Sequence, residues 1–179
     1  MVESRYVLYG LIAGVIAGAV GSALFILCVG VDNLIKFTYD VTYEELVATG
    51  IPPKNASQIA SEAVKGSSFL YFLTPIGPVI NMLIFGSLMG ALQDHLVRKG
   101  FTPVASAVVA GGLFVLLFNV LPLYALSALY GGVFVNVLLK YVNPWVIFIP
   151  SLTYVGLLIM FSAFKGPWAR LRFGKPKYY

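Results

Sequence analysis

Four long apolar stretches, interrupted by short polar segments, set the pattern of this chain. The first runs Tyr6–Val31, the second Ser68–Leu92, the third Pro103–Leu121 and the fourth Asn143–Phe164. A helix of roughly 20 apolar residues is long enough to cross about 30 Å of hydrocarbon. Each stretch is therefore read as a membrane span. The first is too long for the apolar region of a secretory signal and has no clear small-residue cleavage site after it, so it is expected to be a retained span.

Within the first stretch, Gly10, Gly14 and Gly18 recur every fourth residue, with Ser22 next in the series. Four-residue steps place them on nearly one helix face. Small residues there let two backbones approach closely. Gly86 and Gly90 repeat the spacing in the second stretch, and Ala107 and Gly111 in the third. These positions are expected to be packing seams, with the partner helix in the same chain.

The polar segment 32–67 stands apart from the oily remainder. Thr42-x-x-Glu45 and Asn55-x-x-Gln58 have the spacing of a helix-starting box, in which the first side chain caps a free backbone N–H. Gly50 and Gly66 suit the position after a helix. The pattern predicts two short helices, Tyr43–Thr49 and Ala56–Lys65, joined by a rigid turn at Pro52-Pro53. Ile59, Ala60, Ala63 and Val64 share one side of the second helix, which fits a membrane surface or the cap of a bundle. Asn55-Ala56-Ser57 also matches the glycosylation sequon, making Asn55 a candidate modification site that competes with its capping role.

The segment Leu123–Val142 is apolar enough to cross but is interrupted by Gly131-Gly132. Charge bears on its fate. With four spans and both termini inside, Arg5, Arg98, Lys99, Lys165, Arg170, Arg172, Lys175 and Lys177 lie on the cytoplasmic side. Only Lys36, Lys54, Lys65 and Lys140 lie outside. A fifth span would move the basic tail outside, against the excess of Lys and Arg found on cytoplasmic flanks. Four spans are thus favoured. Leu123–Val142 is read as an extension of the third span, an interfacial element or a re-entrant hairpin.

The reading is an all-α integral membrane protein: a four-transmembrane-helix bundle with an external helix-turn-helix insert between helices 1 and 2. It is placed in the cell membrane as a multi-pass chain with both termini cytoplasmic. Composition agrees. Of 179 residues, 59% are hydrophobic and 11% charged, against about a quarter charged in soluble domains. The net charge of +5 comes largely from the final fifteen residues and is read as a topology signal rather than a nucleic-acid footprint. Cys28 cannot form an intrachain disulfide, because it is the single cysteine, and is expected to be a small buried hydrophobe.

Candidate chemistry is sparse. His95 is the single histidine, placed in a charged turn at Gln93–Thr102. No phosphate loop, HExxH motif or histidine pair occurs. No Asp, Glu, Lys or Arg falls inside the four predicted spans, where proton-coupled carriers commonly place them. The intramembrane polar groups are Asn81, Asn119 and Asn136, with Thr74, Tyr124 and Tyr154 as possible neighbours. Those amides are expected to tie helices together. The second reading is an outward-facing polar cavity near Asn81 and Asn119. Function is accordingly expected to be non-enzymatic, without a cofactor: a structural or accessory subunit of a membrane assembly. A small-solute transporter or channel component is the alternative, and a membrane enzyme using His95 a weaker third. Expected partners are the lipid bilayer and other membrane subunits or a second copy.

Overall fold

A computed structural model describes residues 4–129 and 132–164. The basic tail 165–179 and Gly131 lie outside the described residues. Those described are all-helical, without a strand. Helix α1 (Ser4–Leu24) continues through a π-helical turn, Phe25–Val29, and α2 (Gly30–Ala48) follows. Then come α3 (Pro53–Gly66), α4 (Ser68–Leu73) and α5 (Ile76–Arg98). After α6 (Pro103–Val115) a second π-helical turn, Leu116–Val120, leads into α7 (Leu121–Leu129). The last two are α8 (Val133–Tyr141) and α9 (Pro144–Ala163). Four helical stretches are long and apolar enough to cross a membrane: Arg5–Ala48, Ile76–Arg98, Pro103–Leu129 and Pro144–Ala163.

The closest packing joins α1 to α5. A Cβ added at Gly10 would collide with the carbonyl oxygen of Gly86, and one at Gly14 with that of Met82. One at Gly18 would lie 2.6 Å from the Cα of Val79. As the α1 numbers rise the α5 numbers fall, so the helices are antiparallel. Gly90 meets the backbone of Tyr6 and Val7 from the other side. Backbone touches backbone along this seam, as the four-residue spacing predicts. Helix α9 lies antiparallel to α1, with Tyr9 against Phe161 (5.9 Å between rings) and Gly21 against Pro150. Helix α6 lies antiparallel to both α5 and α9. Phe85 meets Phe118 at 4.3 Å, and Val155 presses on Gly111. Tyr154, Phe114 and Leu158 fill the shared interior with Ala13, Ala17, Ala107 and Ala110.

Prolines and glycines set where helices break. Gly30 has φ 71° and ψ 168°, a conformation that costs an L side chain far more than glycine. It ends the first apolar run close to the predicted limit at Val31. The 44-residue stretch Arg5–Ala48 would measure about 66 Å as one straight helix, far beyond a bilayer's thickness. Pro122 does not end the third helix. The π-helical turn comes immediately before it, closed by Leu121 N–H donating to the carbonyl of Leu116. A proline ring crowds the carbonyl four residues back and offers no N–H. Such wide turns relieve that conflict, and the helix runs on to Leu129.

The polar segment departs from the expected pair of short helices. Its first helix begins at Gly30, not Tyr43, because the helical pattern of Leu34, Ile35 and Phe37 extends backwards to the end of the apolar run. Thr42 is not a cap: its hydroxyl donates to the carbonyl of Thr38 at 2.8 Å, in mid-helix. Neither is Asn55. Pro52 holds the cap position and Pro53 the first helical one, where proline's fixed φ suits helix entry. Asn55 is the third helical residue and is exposed. Gly50 has φ 90° after α2, as expected of a terminator. Gly66 does not play that part, being the last helical residue of α3 with Ser67 following in αR geometry.

Two further boundaries move. The apolar run 68–92 divides at Thr74-Pro75 into α4 and α5, and α5 continues through Gln93 to Arg98. The turn is therefore shorter than Gln93–Thr102, with Gly100 at φ 96° and Thr102 capping α6 by accepting from the N–H of Ala105. The segment 123–142 is part helix extension and part separate helix. It turns at Gly132, φ 83°, into α8, which packs on α2 through an edge-on contact of Phe37 with Phe134 (5.4 Å).

The seam predicts an asymmetric response to added volume. Gly14→Leu forces α1 away from Met82 and is expected to lower the thermal midpoint sharply, since overpacking costs about 1–3 kcal/mol or more. Gly112→Ala adds a methyl where nothing lies within 4 Å and is expected to leave the midpoint unchanged or slightly raised. Thermal unfolding in detergent, followed by circular dichroism, checks both.

Candidate functional site

Polar side chains inside the helix packing form a set of cross-links rather than one cleft. Tyr154 is completely buried against Phe114, with ring centroids 4.4 Å apart. Its hydroxyl donates to the carbonyl of Gly86 at 3.0 Å. The absent side chain at Gly86 makes room, since a Cβ there would sit 3.2 Å from the tyrosine ring. One bond thus ties α9 to the α1–α5 seam.

Gln93 makes the second cross-link. Also fully buried, its Nε2 donates to the carbonyl of Pro103 at 3.1 Å and to Oγ of Ser162 at 2.7 Å. The Ser162 hydroxyl in turn donates to the carbonyl of Leu158 at 2.7 Å. Three helices, α5, α6 and α9, meet at this amide. Its Oε1 is buried without a partner. Beside it Asp94, 2% exposed, pairs with Nε of Arg98 at 2.9 Å, one helical turn on.

Asn119 forms the third, near the opposite end of the four long helices. Its Nδ2 donates to the carbonyl of Ile147 at 2.9 Å, while Oδ1 is buried and unpartnered. At that end too, Ser22 Oγ donates to the carbonyl of Pro75, tying α1 to the α4–α5 junction.

Outside the long-helix core, Asp40 on α2 accepts from both Lys140 Nζ (2.7 Å) and the Tyr141 hydroxyl (2.6 Å) on α8. Partial burial works to raise its pKa. The hydrogen bonds from Lys140 and Tyr141 and the lysine's charge together outweigh it and hold the carboxyl below its usual 3.8. Lys140 is held above its usual 10.5, chiefly by its bond to Asp40. The Tyr39 hydroxyl and Ser57 Oγ, 2.9 Å apart, join α2 to α3. That contact engages the serine of the Asn55 sequon.

The three asparagines share no hydrogen bond. Asn119 is buried, whereas Asn81 and Asn136 are exposed on α5 and α8. Tyr124 is 73% exposed, far from the buried setting of Tyr154, so these tyrosines do not share one cluster. Thr74, just after α4, turns its hydroxyl back onto the carbonyl of Leu70. His95 is exposed. Cys28 is exposed rather than buried, because the π-helical turn carrying it projects beyond the packed part of α1. Among the described residues no group of three or more His, Cys, Asp or Glu is placed to hold a metal ion.

Gln93, Asp94 and Asp40 went unread because each sat in a segment judged polar and solvated, and the partners of Asp40 lie in the distant segment 123–142. A signal for Gln93 was present. It lies three residues after Gly90 and seven after Gly86, on the face that those glycines turn toward α1 and α9. Compared with protein-family models, curated proteins and solved structures, the chain matches none.

The Asp40 link gives a pH window with two limbs. A carboxyl whose pKa is lowered on folding contributes stability above its unfolded value, lost as pH falls through the folded value. A lysine whose pKa is raised contributes below its unfolded value, lost as pH rises through the folded one. The α2–α8 contact is therefore expected to hold between the usual values of the two groups, 3.8 and 10.5, and to loosen as pH falls below the first or rises above the second. The distance between labels at Glu44 and Leu139, measured against pH, checks this. Asp40→Asn should abolish the acid limb and most of the alkaline one, since the shift of Lys140 comes chiefly from Asp40.

Proposed function

We propose that the chain is a non-enzymatic multi-pass membrane protein, acting as a structural or accessory subunit of a membrane assembly. The four apolar helices span the bilayer as an antiparallel bundle, and α2, α3, α4 and α8 gather at one end as its cap. Arg98, Lys99 and the basic tail face the cytoplasm, and the cap faces outward. The observation that carries the reading is how the interior spends its polar groups. Tyr154, Gln93 and Asn119 each tie one long helix to the backbone of another. Side chains engaged in this way fix a scaffold and are not presented to a substrate.

Two measurements check it. Purified gently from its native membrane, the protein is expected to carry other membrane chains or copies of itself. Isolation as a bare, stable monomer contradicts the reading. A tag after Tyr179 is expected to resist protease in intact cells and to be cut once the membrane is permeabilised. Cleavage in intact cells reverses the orientation.

A small-solute transporter or channel component is the second reading, favoured by the buried and unpartnered Oδ1 of Asn119. On that reading Asn119→Leu lowers solute flux into liposomes at least several-fold. Flux unchanged by the substitution removes it.

A further inference from the structure

Helix α5 packs on α1 and α6 within one chain and leaves the face opposite Gly86 uncovered. Gly86 and Gly90 turn toward α1 and are buried. At 100° per residue, Ile84 lies about 200° around the helix from Gly86, on the opposite side. Around it the positions Gly77, Asn81, Ile84, Leu88 and Ala91 recur at steps of four, three, four and three. That is the 3.5-residue spacing of a helix–helix seam, whose side chains stay aligned along a partner. Ile84 is 46% and Leu88 54% exposed, and Asn81 is exposed with them.

Asn81 is the telling member. It is the sixth residue of α5, so it lies about 8 Å along the helix from Ile76, within the membrane if α5 spans it. A carboxamide facing hydrocarbon without a partner is costly. No hydrogen bond within the described residues satisfies it, whereas Ser87 on the same helix bonds back to the carbonyls of Leu83 and Ile84. Gly77, one turn before Asn81, has nothing within 4 Å of where a Cβ would be. A glycine there suits the helical turn directly before Pro78 and also leaves room for the close approach of another helix. A carboxamide both donates and accepts, so across a two-fold axis Asn81 satisfies its own copy. One polar residue in an otherwise apolar seam is also a common device for fixing register and partner number.

We propose that this face of α5 is the interface with a second copy of the same chain. The copies meet along Gly77, Asn81, Ile84, Leu88 and Ala91, with the two Asn81 amides hydrogen-bonded to each other. The proposal rests on the reading of the chain as a membrane-spanning subunit and supplies its partner.

Cysteine cross-linking in native membranes tests it. In a Cys28→Ala background, Ile84→Cys and Leu88→Cys are each oxidised in turn, with Val108→Cys as control. Val108 lies on α6 and is 50% exposed. Residues 84 and 88 are expected to give a covalent dimer of twice the chain mass, and residue 108 little. Adding Asn81→Leu should lower the dimer yield at limiting protein about three-fold or more, the scale of one interhelical polar bond. Asn81→Gln, which keeps the amide, should retain much of it. Equal yields at all three sites, no dimer, or adducts only with a chain of different mass overturn the proposal. Washing the membranes with carbonate first separates the two questions. A chain released by carbonate refutes the membrane reading itself, and one retained but not cross-linked refutes this interface alone.

Discussion

The contact between the backbones of α1 and α5 governs this architecture. Where Gly10, Gly14 and Gly18 face Gly86, Met82 and Val79, no side chain separates the helices. For helices placed in a bilayer, as proposed for this chain, the hydrophobic effect gives little reason to associate, and close van der Waals packing of this kind supplies it. The placement of the other two long helices follows from that seam. The missing side chain at Gly86 admits the Tyr154 ring, which seats α9. The Tyr154 ring in turn packs on Phe114 and sets the depth of α6. Widening the seam by one methyl would disturb all four long helices.

Polar bonds come second, in position more than in strength. An interhelical hydrogen bond in a membrane averages only about 0.6 kcal/mol. On the membrane-spanning reading, Tyr154, Gln93 and Asn119 therefore add little to association individually. They discriminate among registers that the small-residue seams alone would tolerate, because sliding one helix by a residue strands a buried donor. Gln93 is the strongest discriminator, since its one amide reads the start of α6 and the end of α9 together. Outside this core the Asp40–Lys140 and Tyr39–Ser57 pairs do similar work, fixing α8 and α3 onto α2.

Legibility in the sequence tracked how local the cause was. The glycine seam was legible because a four-residue period and a small side chain fully specify close packing. The break after the first apolar run and the start of α9 have similarly local causes, Gly30 and Pro144. The course of the chain at Pro122 was not legible, because a proline's effect depends on whether the preceding turn widens, and no local pattern announces a π-helical turn. Asn55 misled because two signals competed, and the fixed φ of Pro53 started the helix before the capping side chain mattered. Asp94 and Gln93 were hidden by composition. A polar residue beside Arg98 looks solvated until the neighbouring helices are known to cover it. The Asp40 link spans 100 positions and nothing in either segment points to the other.

Helix α5 shows why polar residues in such a chain need separate reading. Gln93 and Asn81 are both carboxamides on one helix, twelve residues apart. Twelve residues at 100° each amount to three turns and a third, which moves an amide from the inner face to the outer flank. Gln93 consequently finds a backbone carbonyl and a serine inside its own chain. Asn81 finds neither, and sits among isoleucines and leucines with a glycine one turn away. The same chemistry on the inner face completes a fold. On the outer face it leaves a hydrogen-bonding demand that only a molecule outside the fold can meet.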